Sequence, residues 1–284
     1  MTQPSALFER TAVINANSLA KKSQSLIEGL IAGDLPVVRS LYSGPVDIDD
    51  PFAGHVVEGA FEAMVASWRP VQGATVESLT MTHSTQADGY VGTELDLRLL
   101  VDGKPRKLSI VAVSEVAADG KLERTRLYYR RANIDLQQHY RDRMLEDEVQ
   151  VTFHPIVEKY QKALLERNTE EFIATFAQDG YFDGHGGPVD QQEGLVDLSL
   201  GQGMGLYVGH DELYRGIGQM MEIGSAESPK GRLEHVNAFT DGTTTVLEFN
   251  ILRPEENRVH AGVACYEVTT DGLMHAARVY DEAW

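Results

Sequence analysis

The groups able to move protons in this chain are carboxylates, a histidine and tyrosines placed at strand ends or along strand faces. In VDIDDPFAG, Asp49 and Asp50 precede Pro51, where a strand should end. A carboxylate desolvated at a pocket mouth becomes a better proton acceptor, which makes Asp50 a candidate base, although Asp-Asp-Pro also suits a solvated turn. FDGHGG sets Asp183 and His185 two residues apart, as a base and its partner, a metal pair or a glycine-rich turn. Two local ligands are too few for an ion, so no metal is expected. Glu248 and Asn250 share one strand face because side chains alternate, and His260 and Tyr266 share one on the next strand. Cross-strand polar pairing on an exposed face is the plainer account of Glu248 and Asn250. In TELDLRL, Glu94, Asp96 and Arg98 alternate with Leu95, Leu97 and Leu99. The leucines are expected inside and the charges on the outer face, where domains or subunits can meet.

The elements that must position these groups occur twice. VAVSEVAADGKLERTRLYYR (111–130) aligns without gaps on VACYEVTTDGLMHAARVYDE (263–282), with eight identities in twenty positions. Three of them are Glu115/Glu267, Arg126/Arg278 and Tyr128/Tyr280. Each copy reads as strand, Asp-Gly turn, strand. Upstream, Leu26, Ile27, Leu30 and Ile31 form a helical stripe before Gly33-Asp34, as Tyr160, Ala163, Leu164 and Leu165 do before Arg167-Asn168. Asp34 and Asn168 read as N-caps of a second short helix, and a third helix follows Gly59 and again Gly209. Each half is therefore α+β, helices first and then an antiparallel meander. The halves are expected at 1–135 and 150–284, with the polar stretch around 133–152 between them. A second-half insertion, 188–206, mixes apolar residues with glycines and is a candidate lid or an interdomain packing segment.

Composition narrows the function. The chain has 284 residues, 42% hydrophobic, and a net charge of −18, a surplus of carboxylates that disfavours nucleic acid and anionic membrane as partners. The lone Cys265 cannot form an intrachain disulfide, and Glu9 and Arg10 interrupt any apolar leader, so a cytoplasmic location is expected.

The element order, the Asp-Asp-Pro-Phe-Ala-Gly stretch (49–54) and the terminal strand–Asp-Gly–strand hairpin resemble the NTF2-like superfamily, which includes SnoaL-type polyketide cyclases, ketosteroid isomerase and limonene epoxide hydrolase. The resemblance implies two tandem cone-shaped domains, each a curved mixed or antiparallel sheet packed against three N-terminal helices, with a pocket in each cone. Two fused copies would make a pseudo-dimer within the chain, which can also form a homodimer. Asp50 matches the base of the steroid isomerases, but Leu26 stands where those enzymes carry a tyrosine and Ala112 where they carry an acid. With Ala112 and Ala264 facing the pockets, as the family position implies, Glu248, Asn250, His260, Tyr266 and Asp281 would surround one cavity with Tyr160. Glu248 or Asp281 is then the expected base, with Tyr160 and His260 polarising a substrate oxygen. Similar epoxide hydrolases hold water between an Asn, a Tyr and two carboxylates flanking an Arg, and no Arg stands at the central position here. Asp281 replaces Tyr129 of the first half. Tyr129 and Trp68 are candidate substrate contacts there, although such a tryptophan more often packs the core. The implied activity is cofactor-free general acid–base chemistry on a small, largely apolar molecule (isomerase, cyclase, dehydratase or epoxide hydrolase). The alternative is a non-catalytic small-molecule-binding or assembly protein. An acidic cluster in an enclosed cavity favours the first, and collapsed cones favour the second.

Overall fold

The computed structural model describes residues 6–135, 143–145, 148–184, 205–218, 221, 232–253 and 258–280. The first half runs α1 (Ala6–Ala32), α2 (Leu35–Ser40), β1 (Asp47–Asp50), β2 (Gly54–Val57), α3 (Glu58–Ala66), β3 (Ala74–Ala87), β4 (Tyr90–Val101), β5 (Lys104–Val116), β6 (Leu122–Tyr128) and the one-turn α4 (Ala132–Asp135). The second runs α5 (Pro155–Glu166), α6 (Thr169–Ala174), β7 (Phe176–Asp183), β8 (Leu206–Val208), α7 (Gly209–Leu213), a π-type turn (Tyr214–Gly218), β9 (Arg232–Thr240), β10 (Thr244–Arg253), β11 (Arg258–Val268) and β12 (Met274–Tyr280). The strand orders β2-β1-β6-β5-β4-β3 and β8-β7-β12-β11-β10-β9 match element for element. In each sheet the meander is antiparallel, and the strand of the small hairpin joins the last strand in parallel.

The local signals act as read. Asp34 accepts a hydrogen bond from the Val37 N–H and Asn168 from that of Glu171, each satisfying a donor that the start of a helix leaves orphaned. Leu26, Ile27 and Leu30 of α1 are buried against the inward leucines of β4, Leu95, Leu97 and Leu99, together with Leu108, Ile110 and Ala112 of β5. These residues form one apolar cluster filling the concave side of the first sheet, as expected of a cone whose wall carries leucine at alternate positions. The second concave side is lined by Tyr160, Phe172, Phe176, Leu247, Phe249, Ala264 and Tyr266, a more aromatic set.

A third cluster joins the halves. Val111, Val113 and Tyr128 from the outer face of the first sheet meet Phe239, Val246, Val263, Cys265 and Tyr280 from that of the second. Tyr90 stacks on Phe239 with ring centroids 5.4 Å apart. The sheets approach so closely at Gly92 that a Cβ there would lie 2.9 Å from Val246 Cγ2 and 3.3 Å from Phe239 Cζ. Glycine is required here by space and not by backbone angle. Gly92→Val should destabilise the protein by about 1–3 kcal/mol through overpacking, measurable as a lower urea midpoint, and an unchanged midpoint would show that the sheets separate without cost.

Candidate functional site

The acidic residue expected in the second cone lies between the sheets instead. Glu248 is fully buried and faces the first half: Arg126 donates from Nε to Oε1 at 2.6 Å and from Nη2 to Oε2 at 2.8 Å. The Tyr128 hydroxyl donates to Oε1 at 2.6 Å and Asn237 Nδ2 to Oε2 at 2.7 Å. Arg126 Nη1 also reaches Glu115 of its own sheet. The arrangement recurs with the halves exchanged. Glu94 receives Arg278 Nε at 2.7 Å, Arg278 Nη2 at 3.0 Å and the Tyr280 hydroxyl at 2.7 Å, while Arg278 Nη1 bonds Glu267 at 3.0 Å and the Tyr181 hydroxyl at 3.1 Å.

Burial alone would push both carboxyls up, but the facing guanidinium and its hydrogen bonds outweigh it, so Glu94 and Glu248 are held below the ordinary carboxylate range. Burial likewise works against the charge on Arg126 and Arg278, and the facing carboxylate more than offsets it. Both pairs are therefore ionised and bidentate inside the protein.

The expectation that Glu248 and Asn250 line a cavity is thus corrected. Leu247, Phe249 and Ile251 pair with Ala264, Gly262 and His260 on the concave face, which leaves Glu248 opposite Val263 and Asn250 opposite Ala261 on the outer face. Asn250 Nδ2 donates to the Leu145 carbonyl at 3.2 Å. The cause is turn length. Ala87 pairs with Tyr90 around a two-residue turn, whereas Thr240 pairs with Thr245 around four residues, so matching the two Asp-Gly pairs misaligns the following strands by one. The counterpart of Glu248 is Glu94, opposite Val111 as Glu248 is opposite Val263.

The remaining candidates fall into two places. In the first half Asp50 is 2% exposed, and it accepts four hydrogen bonds: Oδ1 from the Phe52 and Ala53 N–H groups at 2.9 Å each, Oδ2 from Trp68 Nε1 at 3.0 Å and from the Tyr129 hydroxyl at 2.7 Å. Asp50, Trp68 and Tyr129 do come together, but the four donors use the carboxylate's lone-pair sites. Asp49 points elsewhere, to Arg124 at 2.9 Å. Asp47, Asp49 and His55 bring ligand atoms within 4.8 Å of one another, with the Arg124 cation already bonded to Asp49 and 3.6 Å from Asp47.

In the second half Tyr160 packs among Phe172, Phe176 and Tyr266, with ring centroids 5.2 to 5.8 Å away. Gln161 Nε2 donates to the Tyr266 hydroxyl, a contact that the sequence reading missed because a glutamine beside a helical stripe carries no periodic signal. His260 is fully buried on the same face of β11 as Tyr266, but six residues of strand separate them, roughly 20 Å, so the two cannot act on one atom. Asp183 is half-buried opposite Arg278, as Asp49 is opposite Arg126, which puts Gly184 at the place of Asp50. His185, Asp281 and all but the last two residues of the 188–206 insertion lie outside the described residues.

Two matching sheets, each with its small hairpin strand parallel to the last meander strand and helices on the concave side, decide the architecture. Each half has the architecture that the NTF2-like resemblance implies. No protein-family model and no curated protein matches the chain. Solved structures similar to one half include an NTF2-like protein of unknown function from Cytophaga hutchinsonii, 18% identical, covering 48% of this chain and 94% of its own at a TM-score of 0.30. Another is an NTF2-like protein from Anabaena variabilis, 20% identical, covering 40% and 89% at 0.33. A candidate ketosteroid isomerase from Kribbella flavida is 18% identical over 45% and 76% at 0.31.

The ion pairs joining the halves make a sharp prediction. Arg126→Met leaves Glu248 buried without its counter-charge and should cost about 3–5 kcal/mol, whereas Arg126→Met with Glu248→Met should recover most of the loss. The folded-state values of Glu94 and Glu248 lie below the ordinary glutamate value of 4.5, so the stability they confer is present above that pH and is lost as pH falls through the folded values. Acid unfolding followed by circular dichroism should therefore be less steep in the double variant than in the native chain, and identical acid limbs would show that the pairs do not titrate with unfolding.

Proposed function

We propose that this chain is a non-catalytic small-molecule-binding protein, built as a pseudo-dimer of two NTF2-like units spanning 1–135 and 150–284. The observation carrying the reading is that both carboxylates best suited to acid–base work, Asp50 and Glu248, accept hydrogen bonds on both oxygens from groups of the protein itself. A general base must offer a lone pair to the substrate proton within hydrogen-bond reach. Asp50 ties the β1–β2 turn to α3's following tryptophan and to the end of β6, and Glu248 ties one unit to the other. Both concave sides are packed with buried apolar side chains, the first mainly by leucines and the second by a more aromatic set. Among the described residues no helix is long and apolar enough to cross a membrane. The buried Cys265, whose thiol burial keeps protonated, suits a cytoplasmic setting.

General acid–base catalysis in the second unit is the second reading, favoured by one observation: His260 is wholly buried on the concave face of β11. Asp281 and His185 are its candidate partners. Incubation of the full chain with β,γ-unsaturated ketones and with epoxides separates the two. The first reading expects no conversion above background and, for Asp50→Asn, a loss of about 1–3 kcal/mol in stability. Conversion that falls by roughly a hundredfold or more in Asp50→Asn or His260→Gln, with the melting transition retained, would overturn it.

A further inference from the structure

A groove of about 410 Å³ opens on the second unit at the edge of its concave side, between the segment 148–153, helix α5 and strand β9. The segment is fixed along the sheet edge, since the Val149 N–H donates to the His235 carbonyl at 2.8 Å and the Phe153 ring meets the His235 ring edge-on at 5.0 Å. The floor includes Gln161, only 6% exposed. Its Nε2 is committed to Tyr266, and its Oε1 is buried without a hydrogen-bond partner. A buried amide oxygen left in this state costs about 1–3 kcal/mol, and a ligand that donates to it recovers that cost.

The surroundings select the donor. Among the described residues Glu148, Glu158 and Glu166 line the groove against Lys162, and Arg232 pairs with Glu148. The whole chain carries −18, which adds a long-range attraction for cations. Burial pushes His235 down from its ordinary value, so at neutral pH it adds no positive charge. The apolar part of the wall is Val149, Val151, Phe153 and Leu165, the last 41% exposed although it sits on a helix with a well-packed opposite face. An aromatic ring beside carboxylates is also a favourable surface for an ammonium group.

We propose that this groove binds a small organic amine, whose protonated nitrogen donates to Gln161 Oε1 and whose apolar body lies on Phe153, Val151 and Leu165. The inference rests on the binding-protein reading and gives that reading a site and a ligand class. Because Gln161 also holds the Tyr266 hydroxyl, an amine in the groove touches a side chain bonded to the aromatic cluster of the second concave side.

Titration of the full chain with 2-phenylethylamine, followed by calorimetry and by NMR, tests the site, with 3-phenylpropionate as the control of reversed charge. The amine should bind saturably with a Kd of about 1 mM or tighter, and the acid should not bind. Gln161→Leu should weaken the amine about tenfold, the worth of one lost hydrogen bond. Should that variant fail to fold, Glu158→Lys with Glu166→Lys, on the exposed side of α5, should weaken it about as much with the melting transition unchanged. Absence of saturable amine binding, equal binding of the acid, or amine binding indifferent to these variants would overturn the site. Binding of other small molecules elsewhere, with the groove silent, removes this inference and leaves the binding-protein reading intact. Chemical conversion of the bound amine removes that reading and leaves the groove.

Discussion

Four charges closed off from water between two sheets set the terms for the rest of this molecule. A buried carboxylate or guanidinium is tolerated only when its partner and its remaining hydrogen bonds are in place, because removal of one member strands the other in a poorly polarisable medium. Arg126 with Glu248 and Arg278 with Glu94 meet that condition across the halves, each pair completed by a tyrosine of the unit that supplies the arginine. The requirement is geometric. Both guanidinium groups must present Nε and one Nη edge to a carboxylate from the other sheet, which fixes the relative position of the sheets far more narrowly than the apolar contacts around them.

That constraint reorganises the chemistry of the chain. Outer-face residues that would meet water in an isolated unit become interior, and the strongest acids and bases of the meander are spent on holding the halves together. The concave faces divide the remaining roles unequally, with one packed by leucine and the other lined by tyrosine, phenylalanine, glutamine and a buried histidine. Asp50 shows the same economy at smaller scale: one carboxylate gathers a turn, a tryptophan and a tyrosine from three parts of the first unit.

Much of this was legible in the sequence. The repeat at 111–130 and 263–282, the caps at Asp34 and Asn168 and the alternation of leucines along β4 each have a local physical cause, and each gives the element it implies. The candidate site was less legible, for two reasons that lie in particular residues. The extra residues between Thr240 and Thr245 changed the face of Glu248, and no propensity distinguishes a two-residue from a four-residue turn when both contain Asp-Gly. The signal for the true role of Glu248 was nonetheless present: glutamate 115, arginine 126 and tyrosine 128 recur as Glu267, Arg278 and Tyr280, and identical charged residues on a strand face in both halves point to a surface that the halves share. Gln161 could not be found this way, since its importance depends on which atoms near it lack partners.

Gly92 and Val246 occupy equivalent positions, opposite Val113 and Cys265 of the repeated hairpin strands, and they face each other where the sheets come closest. In an assembly of two identical chains, a residue near the symmetry axis must be compatible with its own copy, so a valine would confront a valine and a glycine would leave a hollow. Covalent fusion lifts that restriction and allows a knob on one side with a socket on the other. At this point each half is shaped for its counterpart, with Val246 filling the space that Gly92 leaves.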